Sequence, residues 1–468
     1  MYHNSEEAMS SDDPHFLLVT LPGQGHLNPT LQLAKRLIQA GARVTFATTT
    51  SGQRKIKSFP SLEGLAYAFF SDGFDDGTSP SDKQEDIMSK LEHIGSQTLT
   101  NLLLSLSGEG HPVSFLIYSL LLSWVADVAR DLSIPSALLC NHSGAAFAIY
   151  HHYLNSQTGA YDSKINCPPS FINFEGLPPF KWKDLPSFLL PYSPHSFVTT
   201  SFQKHIRVLE KDPNSCVLIN TFDELEEYAI KTLAHDSNIN LITIGPLVPS
   251  DKFVGCDLFE NSSHDYYTHW LDSKPDCSVV YISFGSLAVL PRNQMEEIFH
   301  GIVDSGYTFL WVIRPSKDGE EEEGFENAIK DKIKEEQGLI VPWCSQVEVL
   351  NHRAVGCFVT HCGWNSTTEC LVAGVPMVAL PQFSDQTTNA KLVDEVWETG
   401  IRIKVNEGTA VAEKEEIRRC LEMVMGNGQK GEAMRGKAKK WRGLALEATS
   451  QGGSSANNFK VFMESFVK

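Results

Sequence analysis

Two short stretches carry residue types suited to chemistry at turns: GQGH at 23–26 and HCGWNSTTE at 361–369. His26 offers an imidazole that a helix N-terminus would hold neutral, and a neutral imidazole can take a proton. The plain alternative is a loop histidine that only bonds backbone. In the second stretch Gly363 lets backbone approach a ligand. Asn365, Ser366 and the free N–H groups of a following helix would make an anion site without net positive charge. Ser366 and Glu369 also spell S-x-x-E, a capping box that needs no ligand. A zinc reading of Cys357, His361, Cys362 and Cys370 is weaker, because the spacing matches no common pattern and neighbouring strand side chains point apart.

Composition narrows what such sites bind. Net charge is 39 − 57 = −18, which argues against nucleic acid or an anionic membrane as partner. A phosphate-bearing ligand must then be held by a local device. The chain has 468 residues, too many for one core, and its 42% hydrophobic and 21% charged content is that of a soluble globular protein. No run reaches the roughly 18–20 apolar residues of a membrane span. The polar, acidic start lacks the features of a secretory signal. The expectation is a cytoplasmic monomer. Its ten cysteines, none in C-x-x-C spacing, are read as reduced thiols. Sequons at Asn141, Asn261 and Asn365 then carry no weight.

The elements that must position these residues alternate. HFLLVTLP (15–22), ARVTFATT (42–49), AYAFF (66–70), FLIYSLL (115–121), SALLC (136–140) and VLINTF (217–222) read as strands. A helix is expected over 28–41, with Asn28 as cap, Pro29 in its first turn and Gly41 at its end. The rhythm restarts with SVVYISFG (278–285), TFLWVI (308–313), LIVPWC (339–344), VGCFVT (355–360) and PMVALP (376–381). Such alternation predicts doubly wound parallel sheets. The reading sets an N-terminal domain at 1–250, a linker at 251–266, a C-terminal domain at 267–450 and a closing helix at 451–468 that packs back on the first domain. The acidic DGEEEEGFE (318–326) reads as a solvated loop. In open α/β sheets, ligands bind beyond the carboxyl ends of strands, where both turns fall.

GQGH does not make a dinucleotide fingerprint. Gly23 and Gly25 are followed by Asn28 rather than a third glycine, and the second strand ends in Thr48-Thr49-Thr50 rather than an acid. No Walker sequence occurs.

From Trp343 to Gln386 the chain reads WCSQVEVLNHRAVGCFVTHCGWNSTTECLVAGVPMVALPQFSDQ. This resembles the signature box of plant UDP-dependent glycosyltransferases acting on small molecules (family 1). The likeness extends through GQGHLNP, WLDSKP (270–275) and SFGS (283–286), and looks closest to anthocyanin 5-O-glucosyltransferases and glucose-ester-forming enzymes. It implies a GT-B fold, α/β, with two Rossmann-like doubly wound domains facing across a cleft, the donor held by the C-terminal one. By resemblance, Trp343 stacks on uracil, Cys344 and Gln346 lie near the uridine, and Glu369 binds ribose. His361, Gly363, Asn365 and Ser366 hold the diphosphate with Ser283 and Ser286. Trp364, Asp385 and Gln386 hold the sugar. Gln386 points to UDP-glucose as the donor. No D-x-D occurs and no metal is implied.

The resemblance makes His26 the general base of an inverting transfer. Most relatives orient that histidine with an Asp on the fourth strand, but here the position is Ser119, and Asp127 downstream is expected to face elsewhere. A base without that acid suits phenols or carboxylic acids better than aliphatic alcohols, since their pKa values lie near 10 and 4. The expected acceptor is thus a flavonoid, phenolic or terpenoid. Its pocket candidates are Tyr118, Ser119, Leu120, Asn141, His142, Phe180, Trp182, Phe188, Phe197 and Phe383, with Asn141 placed against the sugar's 6-hydroxyl. Two other readings stay open: a GT-B epimerase or hydrolase, and a sugar-nucleotide sensor with reduced catalysis.

Overall fold

The computed structural model describes residues 13–79, 82–155, 172–173, 177–190, 193, 196–237, 239–249, 264–314, 329, 333–334, 336–406 and 408–465. Most of the expected linker (251–263), Asn261 and the acidic loop at 318–326 lie outside the described residues. Residues 264–266, assigned to that linker, instead open the helix His264–Asp272.

The described residues form two units. The first takes those of 1–167, 191–259 and 448–468, and the second those of 168–190 and 260–447. In the first unit, β1 (His15–Val19), β2 (Arg43–Thr49), β3 (Leu65–Phe70), β4 (Phe115–Ser119), β5 (Ser136–Cys140), β6 (Cys216–Ile219) and β7 (Asn240–Thr243) form a parallel sheet ordered β3-β2-β1-β4-β5-β6-β7. In the second, β8 (Val279–Ser283), β9 (Thr308–Val312), β10 (Gly338–Val341), β11 (Val355–Thr360), β12 (Met377–Ala379) and β13 (Gly400–Arg402) are ordered β10-β9-β8-β11-β12-β13. Runs such as HFLLV and VVYIS are buried at every position, as strands covered on both faces must be. The helix Ser454–Glu464 joins the first unit through Phe462, whose ring meets Phe16 and Phe115, and through Asn458, which donates to Thr243.

In each sheet the order reverses once, between β1 and β4 and between β8 and β11. The carboxyl ends flanking such a reversal are where open parallel sheets hold ligands. GQGH follows β1 and Ser119 ends β4, while SFGS begins at the end of β8 and HCGWNS follows β11. Topology thus selects the same turns as residue chemistry does.

The first helix departs from expectation. It runs Gln24–Gln39 with Gly23 as N-cap, so His26 lies inside its first turn rather than before it. Pro29 sits inside the helix and has no N–H to give to the Gly25 carbonyl four residues back. That carbonyl accepts a 2.6 Å hydrogen bond from Asn141 Nδ2 instead. Asn141, just beyond β5, thereby pins the turn that carries His26.

Candidate active site

In the first unit His26 Nδ1 lies 3.3 Å from Ser119 Oγ. Ser119 is 3.4 Å from Thr20 Oγ1, which is 3.5 Å from Thr30 Oγ1. A line of hydroxyls thus stands where a carboxylate would complete a dyad. Asp127 is turned away, paired with Arg130 on its own helix. With Nδ1–H donating to Ser119, Nε2 keeps its lone pair. Desolvation, aided by the nearby His142, pushes the His26 pKa down to about 4. The ring is therefore neutral at physiological pH and can accept a proton at Nε2.

In the second unit the turn after β11 is built around His361. A Cβ on Gly363 would stand 2.5 Å from His361 Nε2, and one on Gly285 would stand 2.6 Å from it. Gly285 also has φ +73°, a conformation glycine adopts without strain. Burial holds the His361 pKa down at about 4, so the ring is neutral. The helix Trp364–Ala373 begins here with Gly363 as N-cap and no side-chain cap. A helix N-terminus of this kind favours an anion. Ser366 and Glu369 do not form the capping box their spacing allows, because the helix starts too early for it. Ser283 Oγ accepts from the Gly285 N–H, and Arg314 braces the same loop through the Ser286 and Ala288 carbonyls. Arg314 carries no sequence signal for this role, since it is one of many charged residues outside any motif.

Glu369 and Ser366 meet Gln346 instead: its Nε2 donates to Glu369 Oε2 at 2.6 Å and to Ser366 Oγ at 2.8 Å. Desolvation raises the Glu369 pKa to about 7, although the Gln346 bond opposes the shift. Tyr281, stacked on Phe358 with ring centroids 4.8 Å apart, reaches both Cys344 Sγ and Gln346 Oε1. Trp343 is part-buried and Cys344 buried beside this cluster. Buried carboxylate, aromatic ring and polar amide form a surface suited to a hydroxyl-bearing heterocycle.

Beyond β12, Gln386 Oε1 accepts from the backbone of Gln382 (2.9 Å) and Phe383 (3.0 Å), which fixes the side chain. Asn389 Nδ2 holds Asp385 Oδ2 at 2.8 Å and the Cys362 carbonyl at 3.0 Å, tying this turn to the one after β11. The Trp364 indole is 3% exposed and packs against Trp397.

Several pocket candidates are displaced. Strand alternation puts Tyr118 on the sheet face opposite Ser119, where it is 1% exposed and stacks on His205. Leu120, Phe180 and Phe188 are also core residues. Phe180, Trp182 and Phe188 belong to the second unit. His142 stays part-buried near His26, its Nδ1 2.9 Å from Tyr150 Oη. Phe197 and Phe383 are part-buried, each in its own unit. Among the described residues no group of three His, Cys, Asp or Glu has a metal-holding arrangement, and no helix is long and apolar enough to cross a membrane.

Two doubly wound sheets, one with a neutral imidazole at its switch point and one with a glycine-lined turn beside a polar aromatic cluster, define a two-unit α/β protein with a candidate site in each unit. The family profile "UDP-glucoronosyl and UDP-glucosyl transferase" matches residues 245–437. The chain is 46% identical to phloretin 4'-O-glucosyltransferase of Malus domestica, over 96% of this chain and 97% of that protein. It is 48% identical to crocetin glucosyltransferase, chloroplastic, of Gardenia jasminoides, again over 96% and 97%. The crystal structure of Os79 from O. sativa in complex with UDP matches with TM-score 0.84 and 31% identity, covering 96% of this chain and 100% of that one. The chain belongs to the plant family 1 UDP-glycosyltransferases.

Proposed function

We propose that the protein transfers glucose from UDP-glucose to a hydroxyl or carboxyl group of a small apolar acceptor, with inversion at the anomeric carbon. The observation that carries the acceptor side is His26, neutral and held at Nδ1 by a hydroxyl. His26 Nε2 takes the acceptor proton, and the acceptor oxygen bonds the anomeric carbon. The bond from that carbon to the diphosphate oxygen breaks, and UDP departs with the electron pair. The helix N-terminus at Gly363, with His361, Asn365, Ser366, Ser283 and Ser286, stabilises the charge that gathers on the diphosphate. Trp343 stacks on the uracil, Gln346 and Cys344 border it, Glu369 takes the ribose hydroxyls, and Asp385 and Gln386 hold the sugar. A cytoplasmic setting belongs to this reading and is supported by the free thiols among the described residues. One relative is named chloroplastic, so the location is tested by imaging a tagged chain.

The ribose role makes a prediction of its own. Ribose hydroxyls donate to the carboxylate form of Glu369, whose pKa near 7 in the free protein is set by burial. UDP-glucose, which lacks the terminal phosphate that titrates at about pH 6 in UDP, should therefore bind fully above pH 7 and more weakly as pH drops, by up to about tenfold per unit. Calorimetry near pH 6.5 in buffers of different ionisation enthalpy should show proton release on binding. Glu369→Gln should abolish both the release and the slope.

Mass spectrometry tests the transfer directly. Purified protein with UDP-glucose and a panel of phenols, carboxylic acids and aliphatic alcohols should add one hexose to phenols and acids. Binding of UDP with no hexose gained on any acceptor would favour the sensor reading instead.

A further inference from the structure

Phe180, Trp182 and Phe188 read in the sequence as acceptor-pocket residues, yet residues 184–187 of the same segment bond the turn that follows β12. Ser187 N–H donates to the Ser384 carbonyl at 2.8 Å, and Ser384 N–H returns a bond to Ser187 Oγ at 2.7 Å. Thr387 Oγ1 donates to the Leu185 carbonyl at 2.6 Å and Thr388 Oγ1 to that of Asp184 at 2.8 Å. Asp184, 3% exposed, accepts from Arg402 Nη1 at 2.7 Å and from the Lys181 N–H at 3.0 Å, with Lys391 Nζ at 3.8 Å. A buried carboxylate with three donors around it anchors one end of the segment, and the Ser187–Ser384 pair fastens the other.

Ser384 is the pivotal residue. Its φ is +62°, a left-handed conformation that a residue with a Cβ adopts only when its surroundings hold it there. Asp385 and Gln386 follow directly, so the direction of their side chains depends on Ser384 keeping that conformation. None of the contacts above involves Trp343, Glu369 or His361. The segment can therefore affect the sugar end of the donor site without touching the uridine end.

We propose that Ser187 and Asp184 are positioning residues for the sugar-reading turn, holding Ser384 left-handed so that Asp385 and Gln386 face the donor hexose. This rests on the donor reading above. Ser187→Ala removes the oxygen that accepts from Ser384 N–H. Loss of one such bond corresponds to about five- to tenfold in an equilibrium. UDP-glucose KM is expected to rise by about that factor, while the UDP Kd from calorimetry stays within about twofold. Asp184→Asn should show the same split, and discrimination between UDP-glucose and UDP-galactose should narrow in both variants. The unchanged UDP Kd is the control for folding. Equal weakening of UDP and UDP-glucose, or an unaltered UDP-glucose KM in Ser187→Ala, would overturn the proposal. Failure of the donor reading looks different: the unsubstituted protein would then transfer no hexose while still binding UDP, and the positioning role would fall with it.

Discussion

His26→Ala is expected to lower kcat on a phenolic acceptor by about 10²–10⁴-fold, with UDP affinity unchanged. The size of the loss should track the acceptor. A phenol with pKa near 10 arrives protonated at neutral pH and needs a base. A carboxylic acid with pKa near 4 arrives ionised, so the same substitution should cost it far less. An aliphatic alcohol holds its proton more tightly than either and should turn over slowly even with His26 present. The physical reason lies at Nδ1. Ser119 Oγ at 3.3 Å orients the ring but brings no negative charge to stabilise an imidazolium. Desolvation leaves the pKa near 4.

The pH profile follows with its sign. The base is lost when the imidazole protonates, so kcat/KM for the acceptor, measured with UDP-glucose saturating at each pH, should hold down to about pH 5 and fall only toward pH 4. Ser119→Asp would place a carboxylate against Nδ1 and raise the imidazolium pKa. Its acid limb should move upward by a unit or more, and its rate on aliphatic alcohols should rise. A profile unmoved by Ser119→Asp would show that this position does not govern the proton.

Much of this was legible because parallel sheets write themselves plainly. Runs such as VVYIS and VGCFVT are almost wholly apolar, and their order with intervening helices places GQGH and HCGWNS at strand ends before any coordinates exist. What stayed hidden depended on contacts distant in sequence. Asn28-Pro29 looks like a helix start, and only the Asn141 bond to Gly25 explains how the helix tolerates Pro29 inside it. The edge strand β13 has three residues, too few to show a period. Residues 177–190 have no regular pattern, so only the aromatic side chains of Phe180, Trp182 and Phe188 suggested a role, in a pocket. The bonds to Ser384 and Thr387 are made across some two hundred residues of chain. Arg314 and Tyr281 act by supporting named motif residues and belong to no motif themselves.

Gly363→Ala is the second large effect expected, and it tests the donor half without removing a functional group. The backbone of Gly363 lies at φ −58° and ψ 143°, which alanine adopts freely, so strain is not at issue. Space is. The added methyl would fall 2.5 Å from His361 Nε2, closer than any real contact permits. His361 has little room to retreat toward the loop after β8, since even a Cβ on Gly285 would fall 2.6 Å from the same nitrogen. Either the ring rotates out of place or the first turn of the helix Trp364–Ala373 shifts. Both outcomes misalign the donors meant for the leaving diphosphate. Misplacing one such donor costs about 10²–10³ in rate, so kcat/KM for UDP-glucose should fall by that order while the acceptor KM changes little. His361→Ala in the Gly363→Ala background separates two causes. If the clash with the ring is the whole effect, the double variant should bind UDP better than Gly363→Ala alone. If the methyl itself blocks the diphosphate, removing the ring restores nothing.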